Sequence, residues 1–300
     1  MRHLWTTRQD RELHTLVQGP PPEQARATVV LTHGYVLSSG IFGPVARELA
    51  AAGVHVVRPD LAGHGWSRAG AGELDLPTLA DDLAQVVEEL DLPAGHRLVL
   101  LGHSMGGMVT MQLLERHPGL AARVDGLVWL ATSPGGMASS PFGMSLRTAA
   151  LVGPLVNRLG PRVMSRAARG DDQRRPRPHA AALEVELAHL ARSNFAGRPS
   201  RAVVRQVAAM HHRVPYRVLS QLLTSILAHD AREVLAGLDG PGLVLIGDDD
   251  RMTPHSHSVE IADLHHGARL QVLEGAGHLA MVERPHEVAV AVLDLVEELR

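Results

Sequence analysis

Two rhythms alternate along the chain. Short apolar runs rich in Val, Leu and Ile recur at 28–33, 54–58, 97–101, 124–131, 243–247 and 269–273. Runs this short and this uniformly apolar read as strands buried on both faces. Between them lie stretches with a helical period: 41–52, 76–91, 105–116, a segment near 256–264, and 285–299. In 76–91, for example, Leu79, Leu83, Val86, Val87 and Leu90 share one side of a helix. Residues 4–17 predict the first, antiparallel strands. The alternation predicts an α/β protein with a mostly parallel, doubly wound sheet of eight strands flanked by helices. Strands then stop. From 133 to about 240 the pattern is helical, broken at Pro154, Pro161, Pro176, Pro199 and Pro215. This predicts a core domain formed by 1–133 and 237–300, with a helical cap, 134–236, inserted after the sixth strand. No internal repeat is visible.

Chemistry enters where one strand turns into a helix. Leu98-Val99-Leu100-Leu101 leads into Gly102-His103-Ser104-Met105-Gly106, and a helical stretch follows. A serine at the apex of so sharp a turn is exposed and backed by a helix N-terminus; small residues flank it because the turn has no room for larger Cβ groups. Ser104 is therefore the candidate nucleophile. A serine hydroxyl needs a neighbouring base, commonly a histidine that is itself oriented by a carboxylate. Two loops at strand ends supply candidates. Gly247-Asp248-Asp249-Asp250-Arg251-Met252-Thr253-Pro254 follows the strand 243–247, and Glu274-Gly275-Ala276-Gly277-His278-Leu279 follows 269–273. The C-terminal ends of strands in an open α/β sheet are where side chains converge on a ligand. The backbone N–H of Met105, at the start of the helix after Ser104, is placed to hold a developing oxyanion.

Five segments together give the chain its resemblance to a known family. They are His33-Gly34-Tyr35, Asp60-Leu61-Ala62-Gly63-His64-Gly65-Trp66-Ser67, 102–107, 247–254 and Gly277-His278. In these the chain resembles the α/β-hydrolase family, in its branch of capped serine esterases, lipases and related enzymes. The resemblance implies the α/β-hydrolase fold and a triad in the order Ser104, Asp250, His278. Among the three adjacent aspartates, the family pattern places the acid three residues after the glycine and four before the proline, which only Asp250 satisfies. Some relatives carry the acid after the sixth strand instead, but 131–147 contains no Asp or Glu. The resemblance also makes the backbone of Tyr35 the second oxyanion donor. It gives the 60–67 loop a structural role. His33 reads as holding its loop by hydrogen bonds, His103 as structural, and Asp248 and Asp249 as turn formation and solvation. The Tyr35 ring is expected to line the pocket entrance or, alternatively, to bond substrate through its hydroxyl.

The cap is expected to decide the substrate. Its apolar side chains include Met137, Phe142, Met144, Leu151, Leu155, Met164, Phe195, Leu219, Leu222, Leu223 and Ile226; Tyr216 is its only tyrosine and it has no tryptophan. Most of these pack the cap. Val36, Phe142, Met144 and Leu279 are expected around the substrate, and Met with unbranched aliphatics suits an apolar acyl or alcohol group. The function this implies is hydrolysis of carboxylic esters. A thioesterase, an acyltransferase or a carbon–carbon bond hydrolase uses the same triad. Those carbon–carbon hydrolases usually carry tryptophan after the catalytic histidine, where Leu279 stands. A non-hydrolytic receptor or a cyclase on this fold is a more distant alternative.

Composition narrows the partners. The 300 residues have 45% hydrophobic content, a net charge of −3, no cysteine, and arginine but no lysine. The expected partner is a small apolar ester or thioester, not nucleic acid. No disulfide or thiol nucleophile is possible. Nineteen histidines raise a metal question, but His211-His212, His255-x-His257 and His265-His266 lack metal-site spacing, so no metal or cofactor is expected. No apolar run approaches the ~20 residues of a spanning helix, and the N-terminus lacks the apolar core of a signal peptide. These features imply a soluble, cytoplasmic protein without membrane insertion and leave the oligomeric state open. Six arginines crowd 162–177, read either as a solvated loop or as a basic rim for an anionic acyl carrier.

Overall fold

The computed structural model describes residues 1–139 and 180–299. Its centre is an eight-stranded sheet: β1 (Arg2–Arg8), β2 (Arg11–Gln18), β3 (Thr28–Thr32), β4 (His55–Pro59), β5 (Leu98–His103), β6 (Gly126–Leu130), β7 (Gly242–Gly247) and β8 (Ala268–Leu273). The spatial order is β1-β2-β4-β3-β5-β6-β7-β8. β2 runs antiparallel to β1 and β4, and every other pairing is parallel. Helices connect the parallel strands: α1 (Gly43–Ala51), α2 (Leu76–Glu88), α3 (Met105–Arg116), α4 (Pro118–Ala121), then after the sheet's sixth strand α5 (Ala180–Asn194), α6 (Arg201–His211), α7 (Tyr216–Ala228) and α8 (Arg232–Ala236). The chain closes with α9 (His255–Leu264), α10 (Ala280–Glu283) and α11 (Pro285–Glu298).

The uniform apolar runs have a simple cause: both faces of the sheet are covered. Val29, Leu31, Val99 and Leu101 pack with α1 and α11, whereas Val30, Leu98 and Leu100 pack with α2 and α3 on the other side. The helical insertion joins both cores. Leu187, Leu190, Val204 and Val207 extend the first, and Val218, Leu219, Leu222 and Ile226 the second. Pro199 and Pro215 fall between helices, as the breaks in periodicity require, with Pro215 the residue before α7. Pro154, Pro161 and Pro176 lie outside the described residues.

Differences from the sequence reading are local. β6 begins at Gly126 rather than 124, because the Asp125 carboxylate bonds the Leu98 N–H across the strand entrance. β5 extends through His103, so the strand runs into the turn that presents Ser104. The short helices α4 and α10 had no periodicity to betray them. Among the described residues no helix is long and apolar enough to cross a membrane.

Candidate active site

Ser104 is the one residue between β5 and α3. Its backbone sits at φ 52°, ψ −123°, a region that costs a non-glycine residue roughly 1–3 kcal/mol and persists only where the surroundings enforce it. Here they do. The Ser104 N–H donates to Leu130 O (3.0 Å), and its carbonyl accepts from the Thr132 hydroxyl (2.7 Å) and the Gly107 N–H (2.9 Å). The flanking glycines are required by contact. A Cβ on Gly102 would lie 2.4 Å from Gly107 Cα, and one on Gly106 would lie 2.3 Å from Thr32 O. Val36, in the loop after β3, also has positive φ (59°), a strained setting for a β-branched residue. Both strained residues, Ser104 and Val36, line the same cavity.

His278 follows β8 in the loop that begins at Glu274. Its Nδ1 lies 2.9 Å from Asp250 Oδ2. The same carboxylate accepts from the Thr253 hydroxyl (2.6 Å) and from the backbone N–H groups of Met252 (2.8 Å) and Thr253 (3.0 Å). Burial alone would raise the Asp250 pKa. The neighbouring His278 charge and these donors outweigh it and hold the carboxyl below the ordinary value. The three aspartates separate cleanly. Asp248 bonds the N–H groups of Gly275 and Ala276, Asp249 pairs on the surface with Arg251, and only Asp250 reaches His278.

Two further groups hold His278. The His103 Nε2–H donates to the His278 carbonyl at 3.0 Å, with the two rings 4.8 Å apart. Burial pushes His103 well below its ordinary pKa, so it stays neutral beside His278. Glu283 reaches back to the Gly277 N–H (2.7 Å) and forward to the N–H groups of Ala196 (3.1 Å) and Gly197 (3.3 Å). It staples the His278 loop to the segment after α5. Glu283 carries no motif signal and acts only because folding brings distant loops together; Thr253 lies in the 247–254 segment, three residues from Asp250, and nothing in that segment's sequence marks its hydroxyl as a support for the carboxylate. Glu283→Ala should lower kcat by roughly 10- to 100-fold through misplacement of His278, with KM little changed. A steady-state comparison with the wild-type protein checks this, and an unchanged kcat would remove the positioning role.

Ser104, Met105, Tyr35, Val36 and His278 all line one cavity of about 490 Å³. Met105 is the first residue of α3, so its N–H has no intrahelical acceptor. The Tyr35 hydroxyl is taken: it donates to Leu219 O at 2.7 Å, anchoring the loop after β3 to α7. That leaves the ring as cavity wall and disfavours direct bonding to substrate. Leu279, expected in the pocket, is not among the residues lining it. Its side chain is fully buried in the core and its N–H donates to Asn194 O (3.1 Å), because the chain turns inward into α10 directly after His278. Phe142 and Met144 lie outside the described residues, as do Leu151, Leu155, Met164 and the arginines of 162–177. Sequence reasoning missed Met108 and Met252 and a set of polar cap residues, Glu186, His189, Ser193, Asn194 and His211.

The remaining histidine and aspartate candidates hold loops. His33 Nδ1–H donates to Gly34 O (2.9 Å) while its Nε2 accepts the Leu61 N–H (3.0 Å). Asp60 accepts from His14, the Ser39 N–H and the Trp66 N–H. His64 bonds Ala62 O. Burial lowers the pKa of His33, and that of His64 to about 3. Unfolded, these histidines and His103 would bind protons near pH 6.5 that the folded state refuses. The stability they confer is therefore complete above pH 6.5 and is lost as pH falls, for His64 down to about 3. Each contributes a slope of about 1.4 kcal/mol per pH unit within its window. Denaturant midpoints at pH 7.5 and pH 5 should show a marked loss at the lower pH, and His64→Gln should shrink it. A flat profile would contradict neutral burial.

Comparison with known proteins agrees with this architecture. The family model described as serine aminopeptidase, S33, matches residues 23–285. The chain belongs to this family of α/β hydrolases. It is 28% identical over 264 residues to the pimeloyl-[acyl-carrier protein] methyl ester esterase of Xanthomonas axonopodis pv. citri (strain 306), covering 88% of this chain and 92% of that one. Among solved structures it is similar to an esterase from Rhodococcus sp. ECU1013 (TM-score 0.73, 25% identity, 100% of both chains). It is also similar to a thermophilic esterase from Thermogutta terrifontis (TM-score 0.76, 23% identity, 100% and 99% covered).

Proposed function

We propose that this protein is a serine hydrolase that cleaves carboxylic esters bearing an apolar part, with 1–133 and 237–300 as its catalytic core and 134–236 as its cap. The observation that carries the reading is the Asp250–His278 pair opening, with the strained Ser104, onto one largely apolar cavity. The esterase names of the relatives support it.

In this mechanism Ser104 attacks the ester carbonyl as His278 takes its proton. Asp250 fixes the tautomer with Nδ1–H toward itself, so that Nε2 is the base, and stabilises the imidazolium that forms. The N–H groups of Met105 and Tyr35 hold the tetrahedral oxyanion, aided by the positive end of α3. His278 returns the proton to the departing alcohol. Water activated by the same imidazole then hydrolyses the acyl-enzyme.

A fluorophosphonate probe followed by p-nitrophenyl esters from acetate to palmitate tests the reading. The expected result is labelling together with turnover that peaks at one acyl length, set by the cavity. Labelling without turnover of any ester would overturn the ester reading, and absence of labelling would overturn the serine mechanism with it.

A further inference from the structure

The cavity beside Ser104 lies where the two hydrophobic cores meet, and the cores close it unequally. Met105, Met108, Met137, Leu219 and Ile226 line it from the second core, and none of them is more than 4% exposed. Among the described residues the first core reaches the lining through Leu37 and Leu190 alone. The single exposed lining residue among those described is His189, on α5. The polar side chains near it are already engaged: Glu186 with His212, and Ser193 and Asn194 within α5 itself. One side of the cavity is therefore an apolar dead end, and the side under α5 opens to water.

His278 belongs to the open side. Its neighbours Ala276, Leu279 and Ala280 are part of the first core. The end of α5 is fastened to the same loop, by the Leu279 N–H on Asn194 O and by Glu283, which joins Gly277 to Ala196. The dead end is built from other elements: Met105 and Met108 from the start of α3, and Leu219 and Ile226 from α7, which the Tyr35 hydroxyl ties to the loop after β3. In the proposed mechanism His278 returns its proton to the departing alcohol, so the alcohol oxygen faces His278. The acyl substituent leaves the carbonyl carbon in the other direction. Resting on that reading, we infer that the second-core side is an acyl pocket. The protein selects esters by an aliphatic acyl chain held among Met108, Met137 and Ile226, and it discriminates little among alcohols, which extend toward the opening.

The energetics of the two sides differ accordingly. Each methylene placed in the dry end should raise kcat/KM about fourfold until the end is reached. A chain on the open side keeps part of its surface in water and gains less. Methionines adapt their shape to the chain beside them, whereas Ile226 is β-branched and stiff at χ1. Ile226 is therefore the residue that sets the length limit.

The test uses two isomers, ethyl hexanoate and hexyl acetate, which carry the same atoms with the longer chain on opposite sides of the ester. The expected wild-type preference for ethyl hexanoate is at least about tenfold in kcat/KM. Ile226→Phe should reduce this ratio by filling the pocket. In ethyl esters from acetate to dodecanoate, Ile226→Ala should move the optimum to a longer acid. Equal turnover of the isomers, or a preference for hexyl acetate, would overturn the inference while leaving the hydrolase reading intact. So would an acyl optimum that neither variant moves. The isomer comparison needs no variant, so it decides even where a substitution prevents folding. Failure to turn over either isomer, with no fluorophosphonate labelling, would defeat the hydrolase reading itself and the acyl pocket with it; the same failure with labelling would defeat the ester reading.

Discussion

Ser104→Ala should abolish ester turnover, with a loss on the order of 10⁶ in kcat if the three residues act as one unit. The structure gives a reason to expect a clean deletion. Alanine removes only the hydroxyl, while the bonds that enforce the turn run through the backbone of residue 104, from its N–H to Leu130 O and to its carbonyl from Thr132 and Gly107. Fluorophosphonate labelling should vanish and the thermal midpoint should stay within a few degrees of wild type. Retained labelling would move the nucleophile elsewhere. Retained turnover without labelling would point to chemistry that does not pass through an acyl-enzyme.

Asp250→Asn is the second large effect, expected at about 10⁴ in kcat. Asp250 is a pure acceptor, taking bonds from Met252, Thr253 (twice) and His278. An amide in its place must aim its NH₂ at one set of these donors. If it faces His278, it stabilises the tautomer with the proton on Nε2, which cannot accept from Ser104. If it faces the 252–253 turn, it confronts backbone N–H groups and unsettles the loop. Either arrangement leaves the imidazolium without its buried counter-charge. Asp249→Asn should be nearly silent, because Asp249 lies on the surface with Arg251 as its partner. Measuring both variants on one p-nitrophenyl ester decides the assignment: a crippled Asp249 variant beside an active Asp250 variant would reverse it.

Much of this site is legible because its requirements are local. A serine on a turn without room for Cβ groups dictates Gly-x-Ser-x-Gly, and the contacts of Gly102 with Gly107 and of Gly106 with Thr32 show the steric cause. A strand covered on both sides dictates an uninterrupted apolar run, so the sheet could be read in order. His33, His103 and the 60–67 loop could be set aside as loop supports, and the bonds of His33 and His103 run to backbone groups. The reading failed where a side chain's surroundings depend on distant chain segments. Leu279 is adjacent to His278 in sequence, yet it points into the core. The cap was read by its apolar inventory, and the cavity-lining residues of α5 were overlooked because Glu, His, Ser and Asn at helical spacing look like an ordinary solvated face.

The amino-acid order alone thus determined the α/β class, the insertion after the sixth strand and the position of the strained turn, since each follows from short-range periodicity and steric necessity. Tertiary structure alone decided which loops meet. It joined Glu283 to Ala196 across 87 residues, and it brought α5 and α7 to the same cavity as Ser104 and His278. Such pairings depend on how helices and strands dock in three dimensions, and no local pattern of residues records that.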